Sequence, residues 1–266
     1  MKTFRILKSS LLAVALALLS AGPLLAQEAG VSAGPAAIDT NAINTKLSDD
    51  LVHRLESAED KDWAAIYKTF TEHPEQYQPF ALYAMSRAIL KRGDKDESAF
   101  WYAVGKIRSS FDAARCADYT AGESLVILEQ QYPELSINFK CKYDRFRNSL
   151  IKALAWDEKN PYRYDHRWIN LLGSGLKTSG SMSLSEATWP QIRQTTREEM
   201  VSTVHQLESQ GKERWNSTQR GSAQKGVDEY ENTLKRAKAE NNAELEKLLE
   251  RLKRTKDALE ACLKEG

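Results

Sequence analysis

The chain has 266 residues, with 38 Lys and Arg against 37 Asp and Glu, so its formal charge of +1 gives no general attraction to nucleic acid or to an anionic membrane. Four scattered histidines, His53, His73, His166 and His205, form no His-Glu-x-x-His pattern, which argues against a catalytic zinc. Phosphate-cradling glycine loops are absent too, and Gly173-Ser174-Gly175 lacks the spacing of a nucleophile elbow, so neither a cofactor nor a metal is expected.

Residues 1–26 carry Lys2, Arg5 and Lys8, then an apolar run from Leu11 to Leu19 and a small-residue exit at Ala26. This is the layout of a secretory signal peptide, and the run is shorter than the roughly 20 apolar residues that span a bilayer. The expected location is periplasmic or secreted, with no membrane span after signal removal. The remaining chain of 240 residues has 35 basic and 37 acidic side chains, a charge of −2. Residues 27–45 are Ala, Gly, Ser and Asn with little to pack, a flexible leader.

From residue 46 apolar side chains recur at helical spacing: Leu47, Leu51 and Leu55, then Trp63, Ile66, Tyr67 and Phe70, with Pro74 as a stop. A further helix carries two apolar stripes, Ala81, Ala84 and Ala88 beside Leu82, Met85 and Ile89, and so expects contacts on more than one side. Gly93 then supplies a left-handed residue, and Asp94 with Glu97 reads as a capping box opening the next helix, whose core stripe is Phe100, Val104, Ile107 and Phe111. A tight helical hairpin follows from this. Shorter helices around Leu125 to Leu128 and from Phe146 to Trp156 precede NPYRYDHRWINLLG, residues 160–173, dense in aromatic and polar side chains.

Gly and Ser over residues 174–183 mark a linker, which divides a helical domain at 46–173 from a helical C-terminal region at 184–266. There Val227, Tyr230, Leu234, Leu245, Leu248, Leu252 and Leu259 follow heptad-like spacing, broken around Asn241. One helix over 227–263 would be about 55 Å long at about 1.5 Å per residue, longer than the ~45 Å width of a compact chain of this size. It must project, fold back as a hairpin or join a partner, and residues 227–263 are a candidate homo-oligomer seam. No strand alternation is convincing, so the class is all-α. Of three cysteines, Cys116 and Cys141 are the expected disulfide, closing a loop of about 25 residues for roughly 3 kcal/mol, and Cys262 is left as a free thiol or an interchain link.

The stretch from Ala81 to Arg108, with Ala81, Ala84, Gly93, Asp94, Ala99, Trp101 and Tyr102, resembles a Sel1-like unit of the tetratricopeptide superfamily. It is also similar to uncharacterised secreted bacterial proteins that carry GDKDE, FWY and DHRWIN segments. The resemblance implies a helix-hairpin element that binds protein, and some Sel1-like proteins of this kind serve as immunity partners of secreted antibacterial effectors. Only one copy of the unit is visible, whereas a solenoid needs about three.

Two readings of the candidate site residues compete. Trp101, Tyr102 and Arg108, with Tyr164, Asp165, His166, Arg167 and Trp168, are of the types that dominate protein-binding hot spots. Asp165 and His166 are alternatively the proton-transfer pair of a cell-envelope hydrolase, although adjacent side chains point apart. A loop whose aromatics dock on helices while Asp165 and Arg167 tie it down explains the same residues without chemistry. The expected function is that of a non-enzymatic protein-binding protein, an immunity or adaptor partner of a secreted effector, with the hydrolase and a structural oligomerisation module as alternatives.

Overall fold

The computed structural model describes residues 42–57, 59–173, 181–237 and 243–265. The expected signal peptide, most of the leader, most of the 174–183 linker and the bend near Asn241 lie outside them. All of these described residues fall in one compact unit. Among the described residues there is no strand, only an isolated antiparallel bridge between Cys116 and Ser183, and the fold is all-α. No described helix is long and apolar enough to cross a membrane.

The helices are α1 (Lys46–Ser57), α2 (Trp63–Glu72), α3 (Pro79–Lys91), α4 (Lys95–Ala114), α5 (Ala121–Gln131), α6 (Pro133–Cys141), α7 (Tyr143–Lys159), α8 (Trp189–Gln210), α9 (Lys212–Ala237) and α10 (Ala243–Lys264). A 3-10 turn over His166–Leu171 and a short one over Glu186–Thr188 sit between α7 and α8.

The α3–α4 hairpin is the centre of the molecule. Gly93 has φ of 94°, a conformation that glycine adopts without a Cβ penalty, and Asp94 accepts a hydrogen bond from the Glu97 N–H at 2.9 Å. The Glu97 carboxylate does not reach back to complete the box; it bonds the Tyr67 hydroxyl and, at 3.2 Å, the Trp101 indole N–H, so the cap also fastens α2 to α4. Gly105 lets the two helices close: a Cβ there would lie 2.7 Å from the Tyr83 ring. Inside the contact the Ser86 hydroxyl donates to the Ser98 carbonyl at 2.7 Å.

Both apolar stripes of α3 are buried, the helix packing on α4, α1 and α6, and α4 is covered in turn by α6, α7 and α8. Aromatic edges knit this core: Trp101 meets Phe70 at 4.7 Å and Trp156 at 5.6 Å, and Tyr102 meets Phe139 at 5.3 Å.

The cysteine pairing differs from expectation. The disulfide joins Cys141 to Cys262, across a sequence separation of 121, rather than Cys116 to Cys141. Cys116, two residues past the end of α4, is buried with its Sγ 3.3 Å from Asn170 Oδ1. Short loop closure favoured the nearer cysteine, but α10 packing on α6 brings the distant one to the end of that helix. The C-terminal helices fold back: α10 packs on α9 and α6, Val227 and Tyr230 are buried, and Leu259 fills the space over Gly226. Val227, Tyr230 and Leu259 of the heptad-like stripe are thus used within the chain. Finally, residues 42–45 at the end of the leader are pinned to the body, with Asn44 N–H donating to Asp165 at 3.0 Å and Ala42 O accepting from Arg167 at 2.7 Å.

Candidate functional site: an arginine and aromatic cleft

One face of α4 presents Arg108, Asp112 and Arg115 at i, i+4 and i+7, so the three point the same way along the helix. All three are nearly or wholly buried. An ion this far from water costs several kcal/mol unless it is paired and hydrogen-bonded, and residues 157–168 supply most of the partners. Arg108 donates to Asp157 Oδ1 at 3.2 Å and to the carbonyls of Glu75 at 3.4 Å and Asn160 at 2.9 Å. Asp112 accepts from Arg115 at 2.6 Å, from the Tyr164 hydroxyl at 2.9 Å and from the Trp168 indole at 2.8 Å. Burial nonetheless raises the Asp112 carboxyl above its ordinary value, against the lowering pull of Arg115 and these hydrogen bonds.

From α8, Arg193 and Arg197 reach the same Asp157 from outside, at 3.4 and 3.5 Å, and Arg197 also meets Glu158 at 3.3 Å. Tyr162 stands between these cations. Its ring centre lies 4.3 Å from the Arg108 guanidinium and 5.4 Å from those of Arg115 and Arg193. Arg115 is also stacked on Phe111 at 4.5 Å and on Trp189 at 4.7 Å. Such faces attract a guanidinium by about 0.5–2 kcal/mol each and hold its plane. The Tyr162 hydroxyl, near Asp157 but outside hydrogen-bonding geometry, is pushed well above its ordinary pKa by burial and then by that carboxylate.

Over this layer lies an open cleft of about 860 Å³ between the end of α4, Tyr162 and the first three turns of α8. Its floor is Phe111, Arg115 and Tyr162; Trp189, Pro190 and Val201 give it an apolar wall, with Arg193 and Arg197 beside them. Beneath the cleft surface, Arg115 Nε and Arg193 Nε are buried without a hydrogen-bond partner among the described residues.

The residues singled out from sequence separate into two groups. Trp101, Tyr102, Arg108 and Trp168 are at most 6% exposed and hold the core together, so they offer a partner no surface. Tyr164, Asp165, His166 and Arg167 are half-buried in the turn that covers α4. Asp165 does not orient His166. Its carboxylate accepts from the Arg167 backbone N–H, from Arg167 Nε at 2.8 Å and Nη2 at 2.7 Å, and from Asn44. Burial works against that ion, but the Arg167 and backbone bonds hold its pKa at about 2.

His166 turns elsewhere, its Nε2 2.8 Å from Ser183 Oγ and its ring edge against Trp189 at 4.8 Å. Burial, then the Arg115 charge, lower it to about 4 and keep the imidazole neutral. This pair ties residues 181–189 to the 3-10 turn and fixes Trp189 at the mouth of the cleft.

Sequence reasoning missed Arg115, Asp157, Tyr162, Trp189, Arg193 and Arg197. The available signal was the spacing of Arg108, Asp112 and Arg115, a charged stripe beside the core stripe of α4. Among the described residues no cluster of His, Cys, Asp and Glu could hold a metal ion. Comparisons with protein-family models, curated proteins and solved structures return no match.

Proposed function

We propose that this chain is a non-catalytic helical protein of the periplasm or cell exterior that binds another protein, and that a segment of that partner occupies the cleft over Arg115 and Tyr162. The observation that carries the reading is the cleft itself: exposed Pro190 and Val201 with half-buried Trp189 stand beside guanidiniums held in place by stacking. Aromatic and arginine anchors of this kind, rigid before the partner arrives, dominate binding energy at interfaces. The polar groups beneath are locked to one another rather than poised for proton transfer, which suits recognition better than turnover. An immunity or adaptor partner of a secreted effector is the sharpest form of this reading.

A photo-crosslinking residue in place of Gln194, on the rim, should trap a single discrete partner, and W189A should abolish the trapped species. Trapping that is indifferent to W189A would remove the cleft from the interface.

Hydrolysis keeps one specific observation in its favour, the 2.8 Å contact between His166 and Ser183. On that reading a neutral imidazole would take the proton of Ser183, and Asp165, committed to Arg167, would not be the third member. If the protein turned over an envelope substrate and S183A retained full activity, the pair would be structural only.

A further inference from the structure

The disulfide skips a cysteine. Cys141 is joined to Cys262 across a separation of 121, although Cys116 lies only 141 − 116 = 25 residues before Cys141. In the native fold the nearer pair is out of reach. Lys95, the first residue of α4, donates to the carboxylate of Glu265, one turn after Cys262, and Asn138, one turn before Cys141, donates to the Lys95 carbonyl at 2.8 Å. Cys116 follows the other end of that helix. At about 1.5 Å per residue the 20 residues of α4 set Cys116 on the order of 30 Å from Lys95, whereas a disulfide needs Cα atoms within about 7 Å of each other. Cys116 is enclosed by later sequence: its Sγ lies 3.3 Å from Asn170 Oδ1 and its backbone bridges to Ser183. Its burial therefore waits on residues 170–183, which follow both it and Cys141 in the chain.

We propose that oxidation of the unfolded chain first joins Cys116 to Cys141, and that the protein reaches its native bond as the substrate of a thiol–disulfide isomerase, a protein partner that presents a reactive thiolate. The inference goes beyond the cleft and takes from the proposed function only the location, an oxidising one. Closure falls as about the −3/2 power of loop length, so before structure forms a loop of 25 is favoured over one of 121 by about tenfold. The partner's thiolate attacks Cys141 Sγ in the first bond, and the Cys116 thiolate leaves and takes up a proton. The Cys262 thiolate then attacks Cys141 Sγ in the mixed disulfide and expels the partner's thiolate. Sulfur–sulfur bonds are exchanged one for one, with no net oxidation. Packing of α10 on α6 and of Asn170 over Cys116 draws the exchange to the native side.

Oxidative refolding of the reduced, urea-unfolded protein in a glutathione buffer tests this, with samples alkylated at intervals and mapped as peptides. Cys116–Cys141 should exceed Cys141–Cys262 by about tenfold at early times. Adding purified protein disulfide isomerase should speed its conversion to Cys141–Cys262 by roughly tenfold or more. C116S should form Cys141–Cys262 without a lag, with or without the isomerase. Cys141–Cys262 as the first bond of the wild type would overturn the proposal, and so would a conversion that the isomerase does not speed. A lag of equal length in C116S would also overturn it. The wild-type map alone decides the matter should C116S fold poorly. None of these outcomes bears on the cleft, whose own test is the crosslink from position 194.

Discussion

Replacing Asp157 with Ala should be among the most damaging single changes in the molecule. Arg108 and Asp157 are both 0% exposed, and the pair is surrounded by Trp156, Tyr162 and the helices α4 and α7. With the carboxylate gone, the guanidinium keeps two carbonyl acceptors, Glu75 O and Asn160 O, and the rings of Trp156, Tyr162 and Tyr164, but no bonded counter-charge. Removing one partner of a buried ion pair costs about 3–5 kcal/mol. At about 2–4 °C per kcal/mol for a domain of this size, Tm should fall by roughly 6–20 °C. Arg193 and Arg197 also lose Asp157, but at 37% and 24% exposure they can turn to water, and their share is small. The assay is urea unfolding followed by far-UV circular dichroism under non-reducing conditions, with the slope checked for constancy between variants. The double variant R108M/D157L removes both charges and should be clearly less destabilised than D157A, a coupling that a double-mutant cycle reads directly. A loss below about 1 kcal/mol for D157A, or simple additivity in the cycle, would refute the claim that this pair bears on stability as a buried unit.

Three further outcomes follow from particular contacts. Non-reducing peptide mapping should recover Cys141 linked to Cys262. C141S/C262S should lose up to about 5 kcal/mol by loop-entropy reasoning for a separation of 121, and a Cys116–Cys141 peptide would contradict the fold-back of α10. Gly105→Ala should cost about 1–3 kcal/mol because its Cβ would enter the Tyr83 ring, whereas Gly122→Ala, with nothing within 4 Å, should be neutral or gain a few tenths; equal effects at the two sites would remove the close-approach argument. His166 binds its proton at about 4 when folded and near 6.5 when unfolded, so between these values the unfolded chain holds more protons. Stability should therefore decline as pH falls from about 6.5 to about 4. H166Q should flatten that part of the curve, and an unchanged slope would show that His166 does not carry it.

The α3–α4 hairpin was legible because its signals are local. Gly93, Asp94 and Glu97 act within a few residues of one another, and the stripe through Val104, Ile107 and Phe111 has the period of the helix it forms. What could not be read was long-range. Cys141 lies nearer to Cys116 in sequence, and only the packing of α10 on α6 decides that Cys262 meets it. Trp101, Tyr102 and Arg108 looked like surface anchors because residue type suggests a hot spot, but residue type does not tell which side of a helix a neighbour will cover. Here α6, α7 and the 160–168 segment cover the sides of α4 that carry them.

The same segment explains why the cleft has the chemistry it does. Burying Arg108 and Asp112 on the central helix demanded partners, and those partners came with Tyr162, Tyr164 and Trp168 attached. Tyr162 then offers its face to three guanidiniums, one from the core side and two at the cleft. The binding surface is thus the outer edge of a network whose inner edge holds the fold together, and the two should fail separately. Trp189 and Arg193 sit at the outer edge, so W189A and R193Q should alter recognition with little loss of stability. Arg108 and Asp157 sit at the inner edge, where substitution should first register as lost stability. If W189A destabilised the protein as severely as D157A, the division between a structural floor and a recognising wall would fail.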